Sequence, residues 1–220
     1  LGQEASTNDA AQLNPDVIIA ATGATPVTPN LPGSDLPHVF QAWDVLAKRT
    51  WPGRKVVVLG GGAVGVECAL ALARRGTLGA NELKFLLEHQ VEDCDFLRGQ
   101  CLYGTHEVIL VEMLERIGRD IGKSTRWTLL QELHQLRVKV KTKTKAVAIE
   151  QDGLVVNKEG EETKIPVDSV VLALGSRPYN PLQASFEAKG LDCRIVGDAQ
   201  KVGQAIDAIH AGFTVGRAIE

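Results

Sequence analysis

The fold is decided by the stretch Lys55-Val56-Val57-Val58-Leu59-Gly60-Gly61-Gly62-Ala63-Val64-Gly65. Residues 55–59 are dominated by β-favouring apolar side chains, which predicts a buried strand. Residues 66–75 are rich in small apolar side chains and end in two arginines, which predicts a helix that stops at Gly76. A G-x-G-x-x-G loop carries meaning when it follows a strand and opens a helix, and both conditions hold here. The stretch therefore predicts a Rossmann-type dinucleotide-binding unit.

The spaced glycines of this loop have separate roles in holding a dinucleotide. Gly60 permits the tight turn, Gly62 lets the pyrophosphate approach the backbone, and Gly65 lets helix and strand pack closely. The helix N-terminus offers free N–H groups and a partial positive charge to the phosphates. Glu67 is placed in the first helical turn, where a negative side chain suits the helix dipole. The predicted NAD-binding residues of this stretch are Gly60, Gly61, Gly62, Ala63, Val64, Gly65 and Glu67. The alternative is a glycine-rich turn that holds no ligand.

An acidic residue at the end of the next strand would complete the dinucleotide site. Glu112 directly follows the apolar run Val108–Val111, but it lies 112 − 65 = 47 residues beyond Gly65, where about 20 is usual. Residues 77–106 have a helical pattern of their own and are predicted to be an insertion. The Glu112 carboxylate is expected to bind the ribose 2′-hydroxyl and to favour NAD(H); the alternative is a solvent-facing glutamate. NADP(H) remains an alternative coenzyme, because two nearby basic residues could bind its 2′-phosphate: Arg116 and Arg119.

The rest of the chain alternates strands with helices and then changes period. Apolar runs at Asp16–Ala20 and Val167–Leu174 predict buried strands, and residues 138–149 alternate as a half-exposed strand. Asp152-Gly153 predicts a hairpin turn. The fold class is therefore α/β, with a parallel sheet and a small meander. Four lysines on the alternating strand are predicted to form one solvated edge face, with a docking surface as the alternative: Lys139, Lys141, Lys143 and Lys145.

Bulk composition excludes some classes of function. The 24 basic and 27 acidic residues leave a net charge of −3, so no basic field attracts nucleic acid or an anionic membrane. The longest apolar runs are strand-sized and too short to span a bilayer. The cysteines form no C-x-x-C pair, which predicts a reducing, cytoplasmic setting. One spaced His/Cys set matches no zinc pattern, so we predict no metal site and an inserted helical pair with buried cysteines instead: His89, Cys94, Cys101 and His106.

Further segments carry a family resemblance. Residues 20–26 (AATGATP), 172–178 (LALGSRP) and 195–199 (IVGDA) resemble segments of the pyridine nucleotide–disulfide oxidoreductase-like flavoproteins. Within that superfamily the chain is similar to the C-terminal region of 2,4-dienoyl-CoA reductase and 2-enoate reductase, which are NADH:flavin oxidoreductases with a barrel of the old yellow enzyme type. Residues 111–122 and the ending at 208–213 carry that finer likeness. The resemblance covers essentially all of the chain.

The resemblance implies a domain plan and a second cofactor. A Rossmann-type NAD(P)-binding domain at residues 51–176 would be inserted in a truncated, three-layer FAD-binding domain whose remnants are residues 1–50 and 177–220. Gly175 would face the nicotinamide, where a side chain would obstruct hydride transfer. Two alternatives to FAD binding stay open in this part of the chain. Asp198 could instead be the N-cap of the following helix, and Thr22 and Gly23 could instead form a simple turn after a strand. The residues implied to bind FAD are Thr22, Gly23, Gly197 and Asp198.

The resemblance also implies a larger enzyme. Hydride would pass from NAD(P)H to FAD, and electrons would continue through a 4Fe-4S cluster to FMN in a barrel domain that reduces a carbon–carbon double bond. The chain begins at Leu1 and its only methionine is Met113, so we expect a segment of a longer protein, inactive alone, whose partner is that barrel. No residue here is predicted to be catalytic, because the cofactors carry the chemistry. Two rivals stay open: a structural ADP-binding domain like that of trimethylamine dehydrogenase, and a non-catalytic nucleotide-binding module.

Overall fold

The computed structural model describes residues 2 and 4–219. The helices are α1 (Thr7–Gln12), α2 (Ala42–Leu46), α3 (Ala63–Ala73), α4 (Ala80–Glu88), α5 (Cys94–Leu102), α6 (Lys123–Gln135), α7 (Gln183–Ala188) and α8 (Ala205–Arg217). The strands are β1 (Ile18–Ala20), β2 (Ala24–Pro26), β3 (Val39–Gln41), β4 (Lys55–Leu59), β5 (Glu107–Val111), β6 (Lys139–Lys141), β7 (Lys145–Glu150), β8 (Gly153–Lys158), β9 (Glu161–Pro166), β10 (Ser169–Leu172), β11 (Ser176–Pro178) and β12 (Cys193–Ile195). The chain divides into a larger unit, Thr28–Gly175, and a smaller unit that joins Leu1–Val27 to Ser176–Glu220.

A five-stranded parallel sheet is the centre of the larger unit. Its strand order is β3-β10-β4-β5-β6, and every neighbouring pair runs parallel. The side chains of β4 alternate between two separate cores: Val56 and Val58 enter one, and Val57 and Leu59 enter the other. Burial on both faces explains why this strand is an unbroken apolar run. The predicted α/β class and Rossmann-type parallel sheet are confirmed.

Different layers cover the two faces of this sheet. On one face α2, α3 and α6 pack their apolar side chains, with Cys68 and Leu72 of α3 fully buried. On the other face lies the antiparallel meander β7-β8-β9, whose Leu154 and Val156 pack against the parallel strands. Burying each side chain of this size stabilises the fold by about 1.5–3 kcal/mol. Because all five strands run parallel, their carboxyl ends lie at the same edge of the sheet.

The larger unit begins earlier than the sequence predicts. The predicted boundary is residue 51, whereas the unit starts at Thr28, 51 − 28 = 23 residues before it. Strand β3 explains the difference, because it pairs with β10 as an edge of the parallel sheet. Helix α2 then follows and buries Ala42 and Val45 in the helix-side core. Residues 28–50 are therefore part of the sheet domain.

Two local predictions along this unit are corrected. Helix α3 starts at Ala63 rather than at residue 66, because the helix opens directly from the glycine loop. The alternating run 138–149 is two strands in different sheets, since the chain breaks at Lys143 with a φ of 53°. The four lysines therefore do not share one strand face. Lys139 instead pairs with Glu107, with Nζ and Oε1 2.5 Å apart.

The segment 77–106 contains the two predicted helices, α4 and α5. Its cysteines are not buried as predicted: Cys94 is exposed and Cys101 is partly exposed. Asp93 caps α5 by accepting a hydrogen bond from the Phe96 N–H at 2.9 Å. In residues 2 and 4–219, no group of three His, Cys, Asp or Glu side chains is arranged to hold a metal ion. Over the same residues, no helix has both the length and the apolar character needed to cross a membrane.

The smaller unit is built from two separate stretches of chain. Strand β1 pairs in parallel with β12, and β2 pairs antiparallel with β11. Each pair joins one strand from the first stretch to one from the second. The pairing of β2 with β11 places Pro26 opposite Ser176, the points where the chain leaves this unit and returns to it. This is the arrangement of a domain that is interrupted by an insertion.

The buried thiol of Cys68 should be unreactive toward thiol reagents in the folded protein. Burial raises the pKa of this thiol to about 12, and the thiolate is the reactive form. We expect a disulfide-forming dye at pH 8 to label Cys94 and Cys101 in native conditions and Cys68 only in denaturant. Mass spectrometry of the labelled peptides measures this. Native labelling of Cys68 at the rate of Cys94 would contradict the packing described for α3.

His106 should make the stability of the protein depend on pH. Burial lowers the pKa of this imidazole, and the nearby charges of Arg75 and then Arg54 lower it further. The unfolded chain therefore binds a proton at higher pH than the folded one, so stability falls as pH drops below about 6.5 and through the folded pKa. Urea unfolding at pH 7.5 and 5.5 should show a smaller loss of unfolding free energy for His106→Gln than for the wild type. Equal losses would refute the assignment.

Candidate dinucleotide site

A cavity of about 630 Å³ lies at the carboxyl ends of β4, β5 and β10. This is the edge at which open α/β sheets bind their ligands, and the volume suits a small-molecule site. Residues predicted to bind NAD from three separate parts of the sequence meet here. The predicted residues that line the cavity are Gly60, Gly61, Gly62, Glu112 and Gly175.

The glycine loop has the close contacts that the sequence predicts. Gly60 has a φ of 108°, and a Cβ there would lie 2.3 Å from the Ala173 carbonyl oxygen. A Cβ on Gly65 would lie 1.8 Å from the Gly60 carbonyl oxygen. Both positions therefore require glycine. The three other predicted residues of this stretch, Ala63, Val64 and Gly65, form the first turn of α3 and are not among the residues that line the cavity.

Glu67 differs from its prediction. Because α3 starts at Ala63, this residue is in the second helical turn rather than the first, and its side chain is exposed. It is not among the residues that line the cavity. The structure therefore gives Glu67 no position near the predicted phosphate site, and the helix dipole argument for it does not apply.

Glu112 is fixed against the glycine loop. Its Oε2 accepts a hydrogen bond from the Gly61 N–H at 2.6 Å, and its Oε1 accepts one from the Leu114 N–H at 2.7 Å. The residue is only 9% exposed, so the alternative of a solvent-facing glutamate is wrong. Each carboxylate oxygen has a second lone pair. A ribose hydroxyl in the cavity can therefore donate to a carboxylate that the backbone already holds in place.

The loop after β5, residues 112–120, makes further contacts that the sequence did not reveal. The Gly118 N–H donates to the Gly61 carbonyl oxygen at 2.6 Å. The carboxylate oxygens of Asp120 accept from the Ala63 N–H at 2.9 and 3.0 Å. In the sequence of this loop only Glu112 and the two arginines indicated a ligand contact. Arg116 and Arg119 themselves line the cavity and are exposed.

The remaining walls of the cavity are mostly apolar. They come from Leu31, Met113, Leu114 and Leu174, and the Met113 side chain is 66% exposed. Gly175 also lines the cavity, with a φ of 86°, and a Cβ there would meet no atom within 4 Å. The backbone conformation, rather than lack of space, therefore explains glycine at this position. Apolar walls with a few fixed polar groups are typical of small-molecule and cofactor sites.

The residues implied to bind FAD lie in the smaller unit. The Thr22 hydroxyl donates to the Tyr179 carbonyl oxygen, and the Gly23 carbonyl accepts from the Tyr179 N–H at 3.0 Å. These contacts are those of a turn that joins two chain segments. Gly197, with a φ of 61°, lines a second cavity of about 310 Å³ beside the start of α8. Thr22 and Gly23 line neither this cavity nor the one at the glycine loop.

Asp198 does not cap α8, which was its alternative role. Its Oδ1 accepts from the Gly203 N–H at 3.1 Å, while the N-cap of the helix is Gln204. The Gln204 N–H donates to Asp207, which occupies the third helical position. Asp198 therefore closes the loop before the helix. Its second carboxylate oxygen remains available to a hydroxyl donor.

The comparisons with known proteins agree with this geometry. Residues 2–206 match the pyridine nucleotide-disulphide oxidoreductase family, and the chain belongs to that family. Membership in this family implies the binding of FAD and NAD(P). The segments that carry the family resemblance lie at the cavity and in the smaller unit.

Curated relatives include several reductases. The chain is 41% identical over 196 residues to a metal reductase of Desulforamulus reducens, with 89% of the chain covered. It is 36% identical over 220 residues to an NADH oxidase of Thermoanaerobacter brockii, with 97% covered, and 28% identical over 222 residues to a cinnamate reductase of Clostridium sporogenes, with 100% covered. In each case the chain spans 29% of the relative's length.

Replacing Gly65 by alanine should disrupt the glycine loop. The new Cβ would overlap the Gly60 carbonyl oxygen, so the loop must shift at a cost of about 1–3 kcal/mol in unfolding free energy. Gly99→Ala in α5 is the control, because its Cβ would meet no atom within 4 Å, and it should stabilise the protein by about 0.4–1 kcal/mol. Urea denaturation measures both. A Gly65→Ala protein as stable as the wild type would contradict the close approach.

Proposed function

We propose that the cavity at the glycine loop binds NADH and that the chain is the NAD(P)H- and FAD-binding part of a larger flavin oxidoreductase. Electrons would pass from NAD(P)H through FAD to an iron–sulfur cluster and FMN in a barrel domain outside this chain. That domain would reduce the carbon–carbon double bond of an enoate or an enoyl-CoA. The main support for the proposal is the Glu112 carboxylate. Backbone hydrogen bonds fix it beside the glycine loop, at the carboxyl ends of the parallel strands.

The protein's own groups would position the nicotinamide dinucleotide. The N-terminus of α3 would bind the pyrophosphate through its amides and its partial positive charge. Glu112 would accept hydrogen bonds from the ribose hydroxyls. The apolar wall at Leu174 and the side-chain-free Gly175 would leave space for the nicotinamide ring. These groups bind and orient, and the hydride chemistry belongs to the cofactors.

NADH is the favoured coenzyme because of charge. A 2′-phosphate beside Glu112 would meet an ionised carboxylate with little access to water, where like charges repel strongly. Arg116 and Arg119 also line the cavity, and they would offset part of that repulsion for NADPH. A curated relative that is 36% identical is named an NADH oxidase, which supports the same preference.

The reduced substrate is proposed from relatives rather than from the cavity. A cinnamate reductase acts on an enoate by its name, and its likeness extends over all of this chain. The family resemblance of residues 111–122 and 208–213 supports the same class. Since the chain spans 29% of that relative, the residues that touch the substrate would belong to the remainder of the enzyme.

FAD is proposed to bind in the smaller unit. Gly197 lines the cavity beside the start of α8, whereas the adjacent Asp198 is not among its lining residues. The second carboxylate oxygen of Asp198 would accept a hydrogen bond from a ribityl hydroxyl. Thr22 and Gly23 would lie near the adenine side of the flavin nucleotide, as the family resemblance implies. Titrating the chain with FAD and following the quenching of flavin fluorescence would test this part of the proposal separately.

The rival function is a structural ADP site, and the same residues would form it. In this proposal the glycine loop and Glu112 would contact only the phosphates and the ribose of either ligand. Isothermal titration calorimetry with NADH and with ADP separates the two proposals. Tighter binding of NADH than of ADP supports the proposed function, and equal affinities would favour the structural site. A non-catalytic module would bind NADH but would not transfer electrons from it to bound flavin.

Glu112→Gln should weaken NADH binding more than NADPH binding. The glutamine removes the negative charge and presents an amide N–H₂ group to a site that needs acceptors, so NADH affinity should fall about tenfold to a hundredfold. NADPH should lose less, because its 2′-phosphate no longer meets a carboxylate. The control is Glu115→Gln, three residues further on, which is exposed and pairs with Lys143 at 3.4 Å. An unchanged ratio of NADH to NADPH affinity would contradict the role given to Glu112.

A further inference from the structure

Asp120 occupies part of the surface on which a pyrophosphate would bind. Both of its carboxylate oxygens lie within 3.0 Å of the backbone nitrogen of Ala63, the first residue of α3. A Cβ on Gly62 would lie 3.1 Å from Asp120 Oδ2, so the carboxylate also lies directly against the glycine loop. Asp120 lines the same cavity as Gly60, Gly61 and Gly62. The side chain therefore stands between the cavity and the start of the helix.

The carboxylate resembles the expected ligand in charge and in hydrogen bonding. An N-terminal helix amide favours any anion that accepts its hydrogen bond, and a carboxylate competes with a phosphate oxygen for it. Among the described residues, no lysine, arginine or histidine nitrogen lies within 4.0 Å of the Asp120 carboxylate. Its charge is therefore not neutralised by an ion pair, and the carboxylate would face a pyrophosphate bound in the cavity directly.

The backbone of the loop is held without Asp120. Glu112 and Gly118 both bond to Gly61, which attaches the loop to the glycine turn at two points. The Asp120 side chain is exposed, so rotation about its own bonds moves the carboxylate into solvent without moving the loop. The contact with Ala63 can therefore open while the rest of the site keeps its shape.

We propose that Asp120 is an intramolecular competitor for the pyrophosphate and so lowers the affinity of this site for dinucleotides. In the protein without ligand, the Asp120 carboxylate covers the N-terminus of α3. A dinucleotide must displace this carboxylate, and its phosphates are repelled by the carboxylate charge. Such a residue lowers the affinity of the site for the coenzyme and so favours release of the coenzyme after each reaction. This inference rests on the proposed function, since it assumes that the phosphates bind at the start of α3.

Asp120→Asn tests the competition, because the amide oxygen keeps an acceptor for the Ala63 N–H and removes only the charge. Calorimetry on the 220-residue chain should show ADP and NADH binding about fivefold to tenfold more tightly to the variant. Adenosine, which has no phosphate, should bind both proteins alike. Without ligand, the variant should melt at a lower temperature than the wild type, because a helix N-terminus is stabilised by a negative group.

Glu115→Gln is the matched control, since it removes one negative charge from the same loop without a contact to the glycine turn. Asp120→Ser, which is neutral and shorter, should reproduce the gain if the asparagine variant is poorly folded. Equal or weaker ADP binding in both Asp120 variants would overturn the proposal, as would an equal gain in Glu115→Gln or with adenosine. Failure of the wild type and every variant to bind ADP or NADH would instead overturn the proposed function, and this inference with it.

Discussion

The close approach of Gly65 to the Gly60 carbonyl is the contact on which the rest of this protein depends. With no Cβ between them, α3 starts immediately beside the end of β4 and packs Val66 and Cys68 into the helix-side core. The same approach brings the positive end of the helix to the carboxyl edge of the sheet. Without it, the amides that are proposed to hold phosphates would be displaced from the cavity. Packing and ligand binding therefore share one geometric requirement.

The parallel sheet could be predicted from the sequence because its signals are local and strong. Strand β4 was predicted at its observed bounds, since an unbroken apolar run that leads into a glycine loop is typical of a buried parallel strand. The position of Glu112 at the cavity could also be predicted, although 47 residues separate it from Gly65, because topology rather than spacing places it there. Its hydrogen bonds to the backbone could not be predicted, since they depend on how the loop after β5 turns back over the glycines.

The errors came from residues whose role depends on distant partners. Nothing local in Val39–Gln41 shows that this short strand pairs with β10, which follows it by well over 100 residues, so the domain boundary was placed too late. The lysine run resembled one strand because alternation does not reveal a left-handed residue such as Lys143. Asp120 could not be singled out because an acid in a loop has no periodic pattern. Its importance becomes visible only when Ala63 is found beside it.

The two stretches of the smaller unit have a consequence for the architecture of the whole chain. Because Pro26 pairs with Ser176 across β2 and β11, the strand that departs and the strand that comes back are hydrogen-bonded neighbours. The unit formed by residues 28–175 is therefore connected to the smaller unit through two neighbouring strands, β2 and β11. Replacing it by another βα module would leave the pairing of those two strands unchanged. Loop-closure entropy penalises such a graft little, since the joined ends need no extra span. An architecture of this kind lends itself to recombination, in which a sheet unit of different ligand selectivity could be joined to the same smaller unit.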